Sequence, residues 1–140
     1  MRDEQSVIFQ MGGEQYAVPM STVREIIVPP KIRNVPNAKE HVRGIISLRG
    51  KIITVLSLAK LLNLDESPSL PELQRRIVVL ENEEVLLGIE VDEVKEVLNI
   101  AQYELEPPPT VVGQETFLDG ILNLEERLIL MLNVPALFAS

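Results

Sequence analysis

Tyr16-Ala17-Val18-Pro19-Met20-Ser21-Thr22-Val23-Arg24-Glu25-Ile26-Ile27 reads in register with Leu87-Gly88-Ile89-Glu90-Val91-Asp92-Glu93-Val94-Lys95-Glu96-Val97-Leu98. Hydrophobic type, a valine, a base-acid pair and a closing aliphatic pair coincide. Further on, Gly44-Ile45-Ile46-Ser47-Leu48-Arg49-Gly50-Lys51-Ile52-Ile53-Thr54-Val55-Leu56 matches Gly120-Ile121-Leu122-Asn123-Leu124-Glu125-Glu126-Arg127-Leu128-Ile129-Leu130-Met131-Leu132. Two matched segments in the same order mark an internal duplication. Only two copies exist and their period exceeds that of a solenoid, which predicts a pair of similar subdomains rather than an array.

Working outward, each copy begins with β-rich runs, 6–11 then 16–20 in the first and 76–81 then 86–91 in the second. Gly12-Gly13-Glu14 suits the turn between the first two. A short helix is expected next, over 23–27 with Ser21 or Thr22 as its cap and over 93–98 with Asp92 as its cap. Pro29-Pro30 ends the first of these, because proline lacks the donor that continues a helix. Each copy then closes with a hairpin, 44–58 and 120–134. Gly50 supplies a positive-φ turn in the first, and Glu125-Glu126 must manage the second without glycine. Ser57 and Asn133 are placed to cap terminal helices over 58–63 and 134–138, with Pro135 tolerated in the first turn. The stretch from Asp65 to Glu72 has linker composition and sets a boundary between a first subdomain, 1–67, and a second, 68–140. About five strands per copy and only short helices predict an all-β architecture of two pseudo-symmetric five-stranded barrels. Neither half buries enough surface alone, so the two pack along an apolar seam with a groove between them.

The chain has 140 residues, 46% apolar and 24% charged, the profile of a globular domain. It contains no Cys and one His, His41, which removes thiolate metal sites, disulfides and cysteine nucleophiles and leaves little for a histidine-based triad. Arg49, Lys51 and Lys60 interrupt the longest hydrophobic region, 44–64, so it cannot span a membrane. The first residues lack the basic and apolar regions of a signal peptide, and a cytoplasmic location is expected. A net charge of −8 argues against nucleic acid as a partner. The charge is uneven: 1–67 carries nine Lys/Arg against seven Asp/Glu, and 68–140 four against fourteen. Lys31, Arg33, Lys39, Arg43, Arg49 and Lys51 gather with Glu40 as the one acid among them, either a solvated surface or a site for an acidic protein partner.

Catalytic motifs are absent: no P-loop, dinucleotide fingerprint or nucleophile elbow occurs. The acids Glu90, Asp92, Glu93 and Glu96 gather, but a strand position, a cap and a helix exterior account for them before a metal does, so neither metal nor cofactor is expected. A small hydrolase built on Glu90 and Asp92 is the competing class, and it requires a cleft holding a carboxyl of raised pKa. His41 reads as a surface or half-buried side chain. Val23 and Val94 fit core packing, yet two equivalent apolar helices beside a groove also make a seat for an amphipathic partner helix. Arg49, just before Gly50, is either a loosely held turn charge or a guanidinium presented to a partner. Its repeat counterpart is Glu125, so the duplicated fold does not itself require arginine there. Pro107-Pro108-Pro109 reads as a stiff loop ahead of a polyproline ligand.

Taken together, Phe9, Tyr16-Ala17-Val18, Val23-Arg24-Glu25-Ile26, Val35-Pro36-Asn37, the run from Val42 to Ile53, Gly88-Ile89-Glu90-Val91-Asp92-Glu93-Val94 and the segment from Gly120 to Leu132 resemble the CheW family of chemotaxis coupling proteins. The resemblance covers nearly the whole chain, and its most specific parts are the Arg-Gly hairpin and the Gly-x-x-Val-Asp-x-Val segment. It implies two SH3-like barrels and a non-catalytic adaptor. Such an adaptor bridges the cytoplasmic tip of a chemoreceptor and the regulatory domain of a CheA-type histidine kinase. By matching segments it implies Val23, Glu25, Arg49, Gly50 and Val94 as receptor-binding residues, with kinase contacts at the barrel ends that no residue-by-residue match assigns. An adaptor that binds two partners in turn is expected to be a monomer when alone, with self-association through the kinase-like surface as the alternative, and to be recruited to membrane receptor arrays through its partners. Three positions depart from the family pattern: Ser47 for the usual Asn, Thr54 for the hairpin Pro, and Asn133 for Asp after the last strand. These leave open a related role, a CheW-like regulator of surface motility or another chemosensory pathway that binds the kinase without standard receptor coupling.

Overall fold

Residues 5–64, 74–101, 103–107 and 117–140 are described by the computed structural model. A continuous buried run in each strand marks the first hairpin, β1 (Gln5–Met11) and β2 (Glu14–Pro19), which turns on Gly12 and Gly13 at φ 59° and 85°. A single 3₁₀ turn, Met20–Thr22, leads into β3 (Val23–Ile27). The hairpin of β4 (Val42–Leu48) and β5 (Lys51–Ser57) follows and runs into α1 (Leu58–Leu61). The second copy supplies β6 (Arg76–Asn82), β7 (Val85–Val91), β8 (Glu93–Asn99), the two-residue β9 (Leu105–Glu106), β10 (Leu118–Leu124), β11 (Arg127–Leu132) and α2 (Val134–Ala139). Both terminal caps are as expected: Ser57 Oγ accepts from the Lys60 amide at 3.3 Å and Asn133 Oδ1 from the Ala136 amide at 3.0 Å.

The two short helices expected at 23–27 and 93–98 are strands, β3 and β8. Val23, Ile26 and Ile27 in β3 and Val94 and Val97 in β8 are β-branched, and such side chains favour the pleated backbone once a neighbouring strand offers hydrogen bonds. The apolar spacing of Val23, Ile26 and Ile27 imitates a helix because each strand carries a bulge. The register slips between Val23 and Glu25 where β3 meets β6, and on β8 it skips Lys95 where the strand meets β1. The residues expected as caps have other work. Thr22 Oγ1 donates to the Pro19 carbonyl at 2.6 Å, and Asp92 Oδ2 accepts from the Gly12 amide at 3.1 Å.

The strands form two sheets of matching order, β8-β1-β2-β11-β10-β9 and β3-β6-β7-β5-β4. In each, an antiparallel hairpin joins the next through one parallel pair, β2 with β11 and β5 with β7. A division into barrels at 67/68 is therefore corrected at the level of pairing: β1 and β2 belong with β8–β11, and β6 and β7 belong with β3–β5. The linker around that boundary lies outside the described residues, as do Pro108 and Pro109. Pairing crosses the duplication because β1 and β6 each present two buried faces, and only a sheet on either side of the seam covers both. Val7 and Phe9 of β1 join Val78 and Leu80 of β6 in one central cluster, to which Tyr16, Leu56, Ile89 and Leu132 also belong. The opposite faces feed separate cores, Ile8, Ala17, Leu122 and Ile129 in one sheet and Ile46, Ile53, Ile77 and Val79 in the other.

Each of those separate cores is covered by a strap that crosses a pseudo-equivalent glycine. Arg33 bridges Ile45 through two backbone hydrogen bonds, and β9 pairs with β10 at Ile121 and Leu122. A Cβ on Gly44, which has φ 150°, would stand 2.3 Å from the Arg33 carbonyl oxygen, and one on Gly120 would stand 2.5 Å from that of Glu106. Both glycines follow a bulge, at Arg43 and at Asp119. The duplication thus extends to its irregularities.

Gly44→Ala should cost about 2–3 kcal/mol through the clash with the strap. At Gly13 no heavy atom lies within 4 Å, and alanine there should cost only about 1 kcal/mol of backbone strain. Urea midpoints of the two variants measure the difference, and equal losses would mean the strap does not sit on Gly44. A second expectation concerns Tyr16, stacked on Phe9 at 6.1 Å between ring centroids. Burial, with a smaller contribution from the Glu14 charge, pushes its phenol from 10.0 up to about 12. The neutral phenol is the favoured form in the fold, so its contribution of about 2–3 kcal/mol is complete below pH 10 and is lost as pH rises towards 12. Unfolding of the protein and of Tyr16→Phe at pH 8, 10 and 11.5 checks this, because only the phenylalanine variant should lack that component of the decline.

Candidate functional site

The bulges in β3 and β8 fix which side chains meet the seam. Val23 lies opposite Leu80 and Ile26 opposite Val78, both members of the central cluster, so these two aliphatics share the seam face although three positions separate them. Val94 opposes Phe9 and Val97 opposes Val7, which repeats the arrangement on the other sheet. Val23 and Val94 are half-buried and pack directly against the central cluster. Ile26 and Val97, at 39% and 47% exposure, carry the same apolar faces out to solvent. Both β3 and β8 are edge strands. Each edge strand thus carries one aliphatic pair, Val23 with Ile26 and Val94 with Val97, from the central cluster out to solvent.

Glu25 and Glu96 face the other way, opposite Val79 and Ile8. Each reaches an arginine on a distant hairpin of its own sheet. Glu25 Oε2 accepts from Nη1 of Arg49 at the β4–β5 turn, and Glu96 Oε2 accepts from Nη1 of Arg127 on β11 at 3.0 Å. Both pairs link an edge strand to a hairpin two intervening strands away in the sheet order. Arg49 and Gly50 have φ of 50° and 81°, the geometry of a two-residue hairpin turn with both central residues left-handed. Glu83, Glu84 and Glu125 also have positive φ at hairpin tips, so the backbone at Arg49 is not what sets it apart. Its 74% exposed side chain and its ion pair are.

Of the five residues singled out in the sequence, the structure joins Glu25 directly to Arg49, with Gly50 beside it in the turn, and seats Val23 and Val94 on one cluster from opposite sheets. Ile26 and Val97 were missed. The repeat pairs them, but a helical reading of 23–27 hides the shared face that the bulge creates. Glu90 and Asp92 are engaged structurally: Glu90 Oε1 accepts from Arg43 Nε at 3.3 Å, and Asp92 fastens the β7–β8 corner to the β1–β2 turn. His41 is half-buried, and its carbonyl accepts from the Ser57 amide. Among the described residues no three His, Asp or Glu side chains converge as a metal site, and no helix is long and apolar enough to cross a membrane.

The chain is mainly β, two packed and duplicated sheets that leave one exposed aliphatic on each of the edge strands β3 and β8, Ile26 and Val97. The family model for the CheW-like domain matches residues 5–140, and the chain belongs to that family. It is 32% identical to a chemotaxis protein CheW from Treponema pallidum, over 97% of this chain and 82% of that one. It is 29% identical to Protein PilI from Pseudomonas aeruginosa, over 84% of this chain and 66% of that one. Its fold superposes on the crystal structure of the scaffolding protein TtCheW from Thermoanaerobacter tengcongensis with a TM-score of 0.86, at 30% identity, covering 96% and 86% of the two chains. The family is one of non-catalytic chemotaxis scaffolds, and the chain is not an enzyme.

With the Arg49 side chain so exposed, its pair with Glu25 should couple by less than about 1 kcal/mol in a double-mutant cycle of Glu25→Ala and Arg49→Ala. Val23→Ala, which strips packing from the central cluster, should cost about 1 kcal/mol or more. Chemical denaturation measures all four variants, and a coupling of several kcal/mol would make the pair a fold determinant rather than a surface feature.

Proposed function

We propose that the chain acts as a single CheW-like domain in the cytoplasm, coupling the cytoplasmic helical tip of a chemoreceptor to the regulatory domain of a CheA-type histidine kinase. The observation that carries this reading is that Val23 and Ile26 on one edge strand and Val94 and Val97 on the other continue the central cluster out to solvent. Four aliphatics drawn equally from two sheets offer a seat for one face of an amphipathic helix. Glu25, Arg49 and Gly50 at the β3 edge supply a polar rim, and an exposed guanidinium is suited to a carboxylate or carbonyl on the helix. The kinase domain is assigned to the strand and loop surface at the sheet ends. Exposed Ile52 and Val85, near the starts of the parallel neighbours β5 and β7, are apolar residues there, as is Leu128 near the start of β11. Between engagements the protein is a monomer.

A second reading rests on the likeness to Protein PilI and on Ser47, Thr54 and Asn133. Ser47 and Thr54 are exposed and Asn133 caps α2, so all three departures are compatible with the fold. In this reading the chain serves a related chemosensory pathway, such as one controlling surface motility, and binds the kinase without standard receptor coupling.

Calorimetric titration separates the two, using a receptor cytoplasmic-tip hairpin and a CheA regulatory domain from the same genome. Coupling predicts binding to both, with Arg49→Glu weakening the receptor titration tenfold or more and leaving the kinase titration unchanged. Kinase binding alone supports the second reading, and binding to neither overturns both.

A further inference from the structure

Each sheet leaves part of its cluster-facing side uncovered. On β5, Leu56 lies in the central cluster, and Thr54 and Ile52 on the same face run outward from it. On β7, Leu87 and Ile89 lie in that cluster, and Val85 continues their face. Thr54 pairs with Leu87, so Ile52 and Val85 stand side by side two residues further out, at 75% and 58% exposure. Ile45 on β4 extends this surface opposite Thr54, and Arg33 of the strap, paired with Ile45, borders it.

The duplication repeats the surface on the other sheet. Leu128 and Leu130 of β11 take the places of Ile52 and Thr54, Ile121 of β10 that of Ile45, and Glu14 of β2 that of Val85. Glu106 takes the place of Arg33: each pairs with its isoleucine, and each sets its carbonyl oxygen against the preceding glycine, Gly120 or Gly44. The architecture is the same and the charge is opposite. Lys31 and Arg33 are exposed cations on the strap beside β4, where Glu104 and Glu106 are exposed acids on the strap beside β10. At the hairpin tips, Arg49-Gly50 corresponds to Glu125-Glu126. None of Lys31, Arg33, Glu104, Glu106, Glu125 and Glu126 takes part in an ion pair among the described residues. The acids on the β4–β5–β7 side, Glu83 and Glu84, sit at the β6–β7 tip away from the strap, and their counterparts are the uncharged Gly12 and Gly13.

We infer that these two surfaces bind one another between copies of the chain. The Ile52–Val85 surface of one copy takes the Leu128 surface of a second, with Lys31 and Arg33 against Glu104 and Glu106 of that second copy. A chain of net charge −8 repels its own copies on average, so opposed patches are what brings them together. Every copy keeps one surface of each kind. The contact is therefore head-to-tail, and copies add in a row rather than closing as a pair. A few aliphatics rimmed by exposed charges make a weak contact, which leaves the protein monomeric when dilute and associates it when concentrated. Ile52, Val85 and Leu128 are also the residues assigned above to the kinase, but the inference concerns the protein alone and stands whether or not the kinase binds there.

Sedimentation equilibrium of the full chain from about 10 μM to about 1 mM tests the inference. The mean mass is expected to rise with concentration past that of a dimer. Ile52→Glu and Leu128→Glu, both at exposed positions, should each weaken self-association at least tenfold. An equimolar mixture of the two variants should form dimers and stop there, because one intact surface of each kind remains. Arg33→Glu should also weaken association, and adding Glu106→Arg to the same chain should restore it, a rescue that misfolding of the single variant cannot produce. A monomer at every concentration, a mixture that fails to pair, or charge reversal without rescue would each overturn the inference. Loss with only one of the two glutamate variants would overturn it too, since that marks a two-fold contact between like surfaces.

Discussion

Two parallel strand pairs hold the molecule in its present form. β2 with β11 and β5 with β7 each join a hairpin from one copy of the duplication to a hairpin from the other. Because of those pairs, the β1–β2 hairpin and the β6–β7 hairpin can each bury one face inside their own sheet and the other against the opposite sheet. The central cluster, from Phe9 and Tyr16 through Leu80 and Ile89 to Leu132, follows from that crossing. Neither half can be removed without exposing apolar residues of the other, so the two sheets behave as one unit although the sequence reads as two.

The same crossing creates the candidate site. Where the sheets part, the edge strands β3 and β8 carry the cluster outward through Val23, Ile26, Val94 and Val97, while their bulges turn Glu25 and Glu96 to the opposite face. Glutamate then meets arginine on both sides, but the arginine comes from different positions: the turn itself at Arg49, the strand after the turn at Arg127. The duplication therefore gives similar frames with unlike charged rims.

Much of this was legible in the sequence. The matched segments revealed the duplication, alternation located most strands, glycine pairs placed a turn, and Ser57 and Asn133 were readable as caps because their chemistry is local. What was hidden was non-local. The strand exchange depends on which hairpin completes which sheet, and nothing near residue 67 records it. A bulge residue, Arg24 or Lys95, shifted the apolar period of β3 and β8 from two to three and made strands look helical, which also concealed Ile26 and Val97. The Arg43–Glu90 pair was invisible for the same reason, since 47 positions separate the partners.

Methyl NMR of the isotopically labelled protein, titrated with a receptor cytoplasmic-tip hairpin, bears most directly on the claim that the seam is the working surface. Shift changes concentrated at the Val23, Ile26, Val94 and Val97 methyls, with Ile8 and Ile46 on the separate inner cores unmoved, are what the fold predicts. Changes confined to Ile52 and Val85 would place the helix elsewhere and contradict it.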